Sequence, residues 1–314
     1  MRLKRSFLIT ALYVIGSASV YAQGPAPALP QPIETTSAAT FGNGYSLLPY
    51  FQADALLMHR SQGGFDPGTS WGTGPRFVVG IPVGEQSAIE TSYFSIFGMN
   101  GSASSGPLTD NTGGLTVIGS NFNADYHAFI TNAELNFRHW FTPEFSLMAG
   151  FRYVNWHENL GVAFDAAVPI GGMVVPLGTI REDFHTNNNL YGFQIGAEWK
   201  GSLAERFGME VGGKAGVFGN RSQLDASVNV PVIGSFDTNA NATRTAFVGE
   251  LGLVGTYAVT NYLKLRAGYQ VMWIENVALA PQQLSTANIG GTSTVNSRGN
   301  VFLHGAVVGL EYRW

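Results

Sequence analysis

The chain is dominated by short segments in which apolar residues alternate with polar or small ones, and this alternation restricts the fold more than any other feature. In the last segment, VFLHGAVVGLEYRW, the residues Ala306, Val308, Leu310, Tyr312 and Trp314 are all apolar, while small or charged residues occupy most positions between them. Side chains two residues apart lie on the same face of a β-strand. The segment is therefore predicted to be a strand whose apolar face includes the last residue.

The same period of two recurs from Leu48 onward. Clear strands are predicted in DYHAFITNAELNFRHWF, FSLMAGFRYVNW, NLYGFQIGAEWK, RFGMEVGGKAGVF, FVGELGLVGTY and YLKLRAGYQVMW. With the terminal strand and three weaker ones near residues 49–59, 73–83 and 87–99, we expect about ten strands, with twelve as the alternative. The connections alternate between short turns (VGEQS, FTPEF, KGSLAE and VTN) and long polar stretches near residues 60–72, 99–123, 159–187, 219–243 and 275–299.

This alternation of connection lengths is typical of an up-and-down antiparallel barrel in an outer membrane, with short periplasmic turns and long extracellular loops. Aromatic residues at strand ends on the apolar face, and glycine mixed with charges of both signs on the other face, favour a membrane barrel over a soluble one. Because an unpaired strand edge is unfavourable in lipid, the last strand is expected to pair with the first. We therefore predict an all-β transmembrane β-barrel over residues 45–314.

The amino-terminal residues predict export. The positively charged start MRLKR precedes an apolar stretch that ends near Val20, and Ala22 ends a small-x-small cleavage pattern, which is typical of a cleaved signal peptide over residues 1–22. The stretch is shorter than the ~20 residues that span a bilayer, which favours cleavage over a retained membrane anchor. Residues 23–44 are rich in Pro, Ser, Thr and Gly and are expected to form a flexible segment. Export and a barrel together predict the outer membrane of a diderm bacterium.

Composition excludes several other classes of protein. Apolar residues make up 45% of the chain, which is too many for a disordered protein, and a formal net charge of −4 argues against a nucleic-acid binder. The chain has no cysteine, so we expect neither disulfides nor a lipoprotein anchor. No catalytic residue, cofactor site or metal site is predicted.

The polar face of each strand is expected to line the interior of the barrel. Two interpretations of its charges stay open: they set the selectivity of a channel, or they form salt bridges that fill a narrow ten-stranded interior. The predicted lumen-lining residues are Glu134, Arg138, Arg152, Glu198, Glu210, Lys214, Glu250, Lys264 and Arg266. The aromatic residues predicted at the membrane interfaces are Tyr153, Trp199, Tyr257, Trp273, Tyr312 and Trp314.

Several strand segments also resemble a known family. GFRYVNWHENL, NNLYGFQIGAEW, GKAGVFGN, LKLRAGYQVMWIENVALAPQQ and LHGAVVGLEYRW are similar to the β-barrel porin family 7 of diderm bacteria, and the likeness extends from about Leu48 to Trp314. The resemblance implies an outer-membrane barrel of porin type, and it brings no set of functional residues with it.

The sequence thus predicts a porin-like barrel for passive diffusion of small polar solutes or ions. The alternative is a closed barrel whose long loops have a structural or surface-binding role, and a minor alternative is a hydrolase at the rim of the barrel. As partners we expect outer-membrane lipid and, through the C-terminal strand, the barrel-insertion machinery; a homo-oligomer is left open, and no nucleic acid is expected. The residues that a rim hydrolase would use are Asp125, His127, His157, Glu158, Glu182, Asp183 and His185.

Overall fold

The computed structural model describes residues 48–61, 70–105, 108–112, 115–170, 172–231, 233–284 and 294–314. The predicted signal peptide and the segment 23–44 lie outside them. No helix in this described part is long and apolar enough to cross a membrane. The elements are β1 (Tyr50–Ser61), β2 (Gly72–Pro82), β3 (Ser87–Ser105), β4 (Leu108–Thr112), β5 (Leu115–Trp140), β6 (Phe145–Ile170), β7 (Met173–Ser202), β8 (Phe207–Val230), β9 (Gly234–Ala258), β10 (Leu263–Val277), α1 (Ala280–Gln283) and β11 (Gly299–Arg313).

Ten of the eleven strands in the described residues close into an antiparallel ring. Each strand from β5 to β10 pairs with the next along the chain, β11 pairs with β1, and β1 pairs with β2 and β2 with β3. The ring closes where β3 pairs with β5, while the short strand β4 pairs with the first residues of β5. The predicted up-and-down barrel of about ten strands is therefore confirmed.

The seam between the first and last strands requires glycine. A Cβ atom on Gly305 would lie 1.9 Å from the carbonyl oxygen of Leu57, and one on Gly309 would lie 2.3 Å from the carbonyl oxygen of Ala53. Real side chains do not approach a backbone oxygen so closely, so β1 and β11 reach their spacing because these positions have no side chain. The backbone N–H of Trp314 donates to the carbonyl oxygen of Pro49 at 3.2 Å, which extends the seam to the last residue.

The two ends of the barrel differ. At one end, called the turn end here, four-residue turns at 83–86, 141–144, 203–206 and 259–262 join neighbouring strands. These turns coincide with the four predicted short connections. At the opposite end, called the far end, β5 to β9 extend well past β1, β2 and β10, and β7 alone has 30 residues.

The apolar side chains change from the outer to the inner face partway along the wall. In β6, alternate apolar residues from Phe145 to Tyr153 face outward and Arg152 faces inward. From Val154 onward the inward side chains are mostly apolar, with Glu158 as a charged exception, and outward ones such as Asn155 are polar. The nine residues from Phe145 to Tyr153 match the ~9–11 that a tilted strand needs to cross the hydrocarbon core. The wall therefore consists of a lipid-facing belt near the turn end and a projecting section near the far end.

This change of face explains where the sequence prediction differs from the structure. The connections predicted near residues 159–187 and 219–243 are mostly strand, since β6 to β9 continue through them, and the described residues 172, 231 and 233 are turns. Most of the stretch predicted as a connection near 99–123 is also strand. Outside the lipid a strand no longer needs an apolar outer face, so the period-two pattern is interrupted although the backbone pairing continues.

Candidate functional site in the barrel interior

Ion pairs fill the interior next to the turn end. Arg138 of β5 lies between two carboxylates, with its Nη2 atom 2.9 Å from Glu90 Oε2 and its Nη1 atom 2.5 Å from Glu198 Oε2. On the other side of the ring, Arg266 Nη1 lies 2.7 Å from Glu210 Oε2. Lys200 joins the two groups, because its Nζ atom is 3.3 Å from both Glu198 and Glu210. The side chains thus connect opposite parts of the wall across the interior.

A second layer of ion pairs lies nearer the middle of the barrel, with Arg152 at its centre. Arg152 is 1% exposed; its Nη2 atom donates to Glu250 Oε2 at 3.0 Å and its Nε atom donates to Asn132 Oδ1 at 2.6 Å. Lys214 Nζ donates to Glu134 Oε2 at 2.8 Å. Arg152 is on β6 and Glu250 is on β9, so their contact passes across the two intervening strands, β7 and β8.

The charges of the interior ion pairs balance. Among the described residues, eight basic and eight acidic side chains take part in interior ion pairs, so their formal charges cancel. A cavity of about 100 Å³ lies among them, with room for a few water molecules. The basic members are Arg60, Arg76, Arg138, Arg152, Lys200, Lys214, Arg266 and Arg313, and the acidic members are Asp54, Glu90, Glu134, Glu158, Glu198, Glu210, Glu250 and Glu311.

An apolar layer closes the interior beyond the charges. Trp156, Ile274 and Leu303, which come from three different strands, are 0% exposed. Side chains that line a water-filled lumen would be accessible from one end, so this level of the barrel is packed. One ion pair crosses the layer: Arg60 Nη1 lies 2.7 Å from Glu158 Oε1, which also accepts hydrogen bonds from Tyr126 and from the Trp156 indole N–H.

The chain turns into the barrel directly after β10. Asn276 has a positive φ of 62°, a conformation in which asparagine is common and most other residues are rare. The register of β10 against β11 shifts at this residue. Its carbonyl oxygen accepts a hydrogen bond from Asn220 Nδ2 at 2.9 Å. The following residues, Ala278 to Leu284, contain the helix α1 and are called the inner segment.

Two wall residues hold the backbone of the inner segment. Asn188 of β7 accepts a hydrogen bond from Ala278 N at 2.7 Å and donates one to Ala278 O at 2.8 Å, as a paired strand would. Glu158 Oε2 accepts a hydrogen bond from Ala280 N at 2.6 Å. Ala278 and Ala280 are both 0% exposed. The inner segment therefore occupies the interior and satisfies its buried peptide groups through wall side chains.

All nine residues predicted to line the lumen are on the inner face of their strands, and eight of them belong to the ion pairs above. Lys264 shares the inner face of β10 with Arg266 and is the register partner of Glu311, but it makes no ion pair of 4.0 Å or less within the described part.

The six predicted interface aromatics lie on the outer face. Trp199, Tyr257, Tyr312 and Trp314 are close to the turn end, and Trp199, Tyr312 and Trp314 are 40%, 45% and 52% exposed. Tyr153 and Trp273 stand farther along their strands, and Tyr153 packs on Tyr191 at a centroid distance of 4.8 Å.

The residues considered for a rim hydrolase do not all share one face of the wall. Glu158 is buried on the inner face of β6, whereas His157 is on the outer face. His157 Nε2 and His185 Nδ1 both contact Asn159 Oδ1, at 2.9 Å and 2.6 Å, on the outside of the projecting section. The wall of the barrel thus separates the buried carboxylate from the histidines beside it in sequence.

A closed antiparallel ring with an apolar outer belt and a charged interior defines an outer-membrane β-barrel. The chain belongs to the family described as Putative beta barrel porin-7 (BBP7), whose model matches residues 108–314. The family predicted from the strand segments is thereby confirmed. None of the curated proteins matches the chain.

Solved structures with a similar fold include three proteins. Outer membrane protease OmpT from Escherichia coli is 12% identical, with a TM-score of 0.47 over 85% of this chain and 94% of that chain. The translocator domain of autotransporter NalP from Neisseria meningitidis is 14% identical, with a TM-score of 0.41 over 87% and 90%. The TodX deltaS2S3 mutant monoaromatic hydrocarbon channel is 10% identical, with a TM-score of 0.40 over 85% and 91%. The likeness concerns the fold alone.

Proposed function

We propose that the protein is a barrel for passive diffusion of small polar solutes or ions that its inner segment holds closed. The path runs through the charged interior of the lipid-facing belt. Because the charges of both signs nearly balance there, with Lys264 the extra cation, we expect little preference between anions and cations. In this proposal the nine predicted charges line the path, and Lys264 and Arg266 stand near its turn end.

The main support for the proposal is that the inner segment lies in a connection and is held by few hydrogen bonds. It belongs to the connection between β10 and β11, so it can leave the interior without unpairing any strand of the ring. Asn188 and Glu158 hold its backbone through three hydrogen bonds, at Ala278 and Ala280. Each hydrogen bond contributes only about 0.5–1.5 kcal/mol net, or about 1.5–3 kcal/mol to a charged group. Burial of the Leu279 side chain adds about 1.5–3 kcal/mol, so the segment is held by several kcal/mol, an amount that ligand binding can supply.

Single-channel recording with an Asn188→Ala variant tests the proposal. The variant loses both hydrogen bonds to Ala278 and leaves two buried peptide groups without their partners, which costs about 1–3 kcal/mol for each group. We expect wild-type protein in a planar bilayer to be silent for most of the recording and the variant to show frequent, discrete conductance steps.

Asn187→Ala is the matched control, because Asn187 is the neighbouring residue on the outer face and contacts Asn155 there. This variant should behave as wild type. The proposal is contradicted if Asn188→Ala inserts as a folded barrel and stays as silent as wild type, or if wild type conducts as freely as the variant.

A permanently closed barrel with a surface-binding role is the second candidate. It is favoured by the length of β5 to β9, since β7 has 30 residues and only about nine of them are needed to cross the bilayer. The outer face of the projecting section carries asparagines joined to one another, such as Asn155 Nδ2 to Asn187 Oδ1 at 2.6 Å. Silence of both Asn188→Ala and wild type would favour this candidate.

A further inference from the structure

Two histidines face each other on the outside of the seam. His59 of β1 and His304 of β11 are register partners, so their side chains leave the sheet side by side. Their ring centroids are 5.6 Å apart, and both side chains are half-buried on the outer face. The pair lies at the far-end border of the lipid-facing belt, beside Tyr269 and Trp71.

The separation of the two rings suits a shared metal ion. In a tetrahedral site a metal lies about 2.0–2.1 Å from each imidazole nitrogen, hence about 3.2 Å from each ring centroid, which puts two centroids about 5.2 Å apart. The ring centroids of His59 and His304 are 5.6 Å apart, and a small side-chain rotation would bring them to this separation. The backbone pairing of β1 and β11 fixes the two Cα positions, so the site is largely formed before an ion arrives.

Neighbouring side chains orient the two rings. Tyr269 Oη lies 2.5 Å from His304 Nδ1, which leaves Nε2 of this ring to face a ligand. A metal-binding histidine usually donates its other ring N–H to an oxygen, and Tyr269 can accept that hydrogen bond. The Trp71 ring packs against His59 at 5.2 Å and against His304 at 6.2 Å, which limits the rotation of both.

We propose that His59 and His304 bind one divalent transition-metal ion, of the class Zn²⁺, Cu²⁺ or Ni²⁺, on the outer surface of the seam. Imidazole nitrogen is a preferred ligand of these ions. No group of three or more His, Cys, Asp or Glu side chains suited to a metal occurs in the described part of the chain. The two imidazoles are therefore the protein ligands and water completes the coordination. A bound ion links the first strand to the last and stabilises the closed ring.

Copper binding by the folded full-length chain without a histidine tag tests this inference. We expect titration in detergent to reveal a tight site for one Cu²⁺ per barrel, with nitrogen hyperfine splitting from two imidazoles in its electron paramagnetic resonance spectrum. His59→Asn/His304→Asn should lose this site while the barrel stays folded. Tyr269→Phe should keep two nitrogen ligands but weaken binding about 10-fold, because it removes the orienting hydrogen bond.

The matched control is His157→Asn/His185→Asn, which removes the two histidines that share Asn159 on the projecting section. This variant should bind copper as wild type does. Zn²⁺ should raise the unfolding temperature of wild type and of the control, and leave that of His59→Asn/His304→Asn unchanged, since it binds the closed seam. Equal copper binding in wild type and in His59→Asn/His304→Asn, or loss of the site in the control, would overturn the proposal.

Discussion

Arg152→Met is expected to lower the free energy of unfolding by about 3–5 kcal/mol, because it leaves the carboxylates of Glu134 and Glu250 with Lys214 as their shared cation. Arg152 is 1% exposed and its Nη2 atom is 3.0 Å from Glu250 Oε2. Methionine fills much of the same space, so the loss would come mainly from the charge. Denaturant unfolding in detergent, followed by tryptophan fluorescence, measures it.

Two further variants separate the electrostatic effect from the loss of packing. Arg221→Met replaces an exposed arginine of β8 and should change stability by no more than about 0.5 kcal/mol. Arg152→Met/Glu250→Gln removes both charges and should recover at least about 1 kcal/mol relative to Arg152→Met. If Arg152→Met were as mild as Arg221→Met, water would solvate the interior charges, and the packed interior inferred from burial would be wrong.

Gly305→Ala is expected to destabilise the barrel by about 3 kcal/mol or more, because its new methyl group collides with backbone. The added Cβ would lie 1.9 Å from the carbonyl oxygen of Leu57 and 2.8 Å from the Cα atom of Met58, in the opposite strand of the seam. A flexible side chain could move aside, whereas these backbone atoms are fixed by strand pairing. The loss of heat-modifiable migration in gel electrophoresis, measured against temperature, reports the stability of the closed ring.

Gly255→Ala supplies the control for this prediction. The same methyl group at Gly255, on the outer face of β9, would meet its nearest backbone atom, the carbonyl oxygen of Ala267, at 3.6 Å, which is ordinary contact. We expect Gly255→Ala to unfold at the wild-type temperature or slightly above it. Equal stabilities of Gly305→Ala and Gly255→Ala would show that close approach at the seam is not required.

The lipid-facing belt was predictable from sequence because the surface that contacts lipid must consist of apolar side chains. Apolar residues such as Phe151, Phe193 and Leu265 must face the membrane, so their neighbours Arg152, Gln194 and Arg266 must face inward. The strand count, the short turns and the inner face of the charged residues follow from that rule.

The projecting section and the first strands were less predictable because the face that carries the apolar residues changes partway along a strand. In β1 the inner face carries Gln52 and Asp54 and then Leu56 and Met58, so polar and apolar residues share one face within a few positions. A hydrophobic period of two cannot describe such a strand. The interior charges Asp54, Arg60, Arg76 and Glu90 were missed because the pattern of their strands was weak, and Glu158 was missed because it lies beyond the change of face. Lys200, Glu311 and Arg313 lie on the polar face of clearly predicted strands but were not among the predicted lumen-lining residues.

The inner segment was missed because its placement depends on contacts distant in sequence. Asn188, which holds Ala278, lies within a run of three asparagines that shows no apolar pattern. Two local signals were present: Val277 to Ala280 are consecutive apolar residues, and Pro281 follows at a position that is favourable in the first turn of a helix. They indicate a short buried helix, but not where it packs. The histidine pair at the seam likewise forms only when β1 meets β11.

The accessibility of a single cysteine at position 280 tests most directly whether the inner segment closes the barrel. The chain has no cysteine of its own, so Ala280→Cys and the exposed control Met173→Cys each introduce one reactive site. Ala280 is 0% exposed and Met173 is 70% exposed. If local opening of the segment costs about 3 kcal/mol, a charged maleimide should label Ala280→Cys ~100-fold more slowly than Met173→Cys in the folded barrel. In denaturant it should label both cysteines at the same rate. Adding Asn188→Ala should accelerate the labelling of Ala280→Cys. Labelling of the two cysteines at the same rate in the folded barrel would contradict the account.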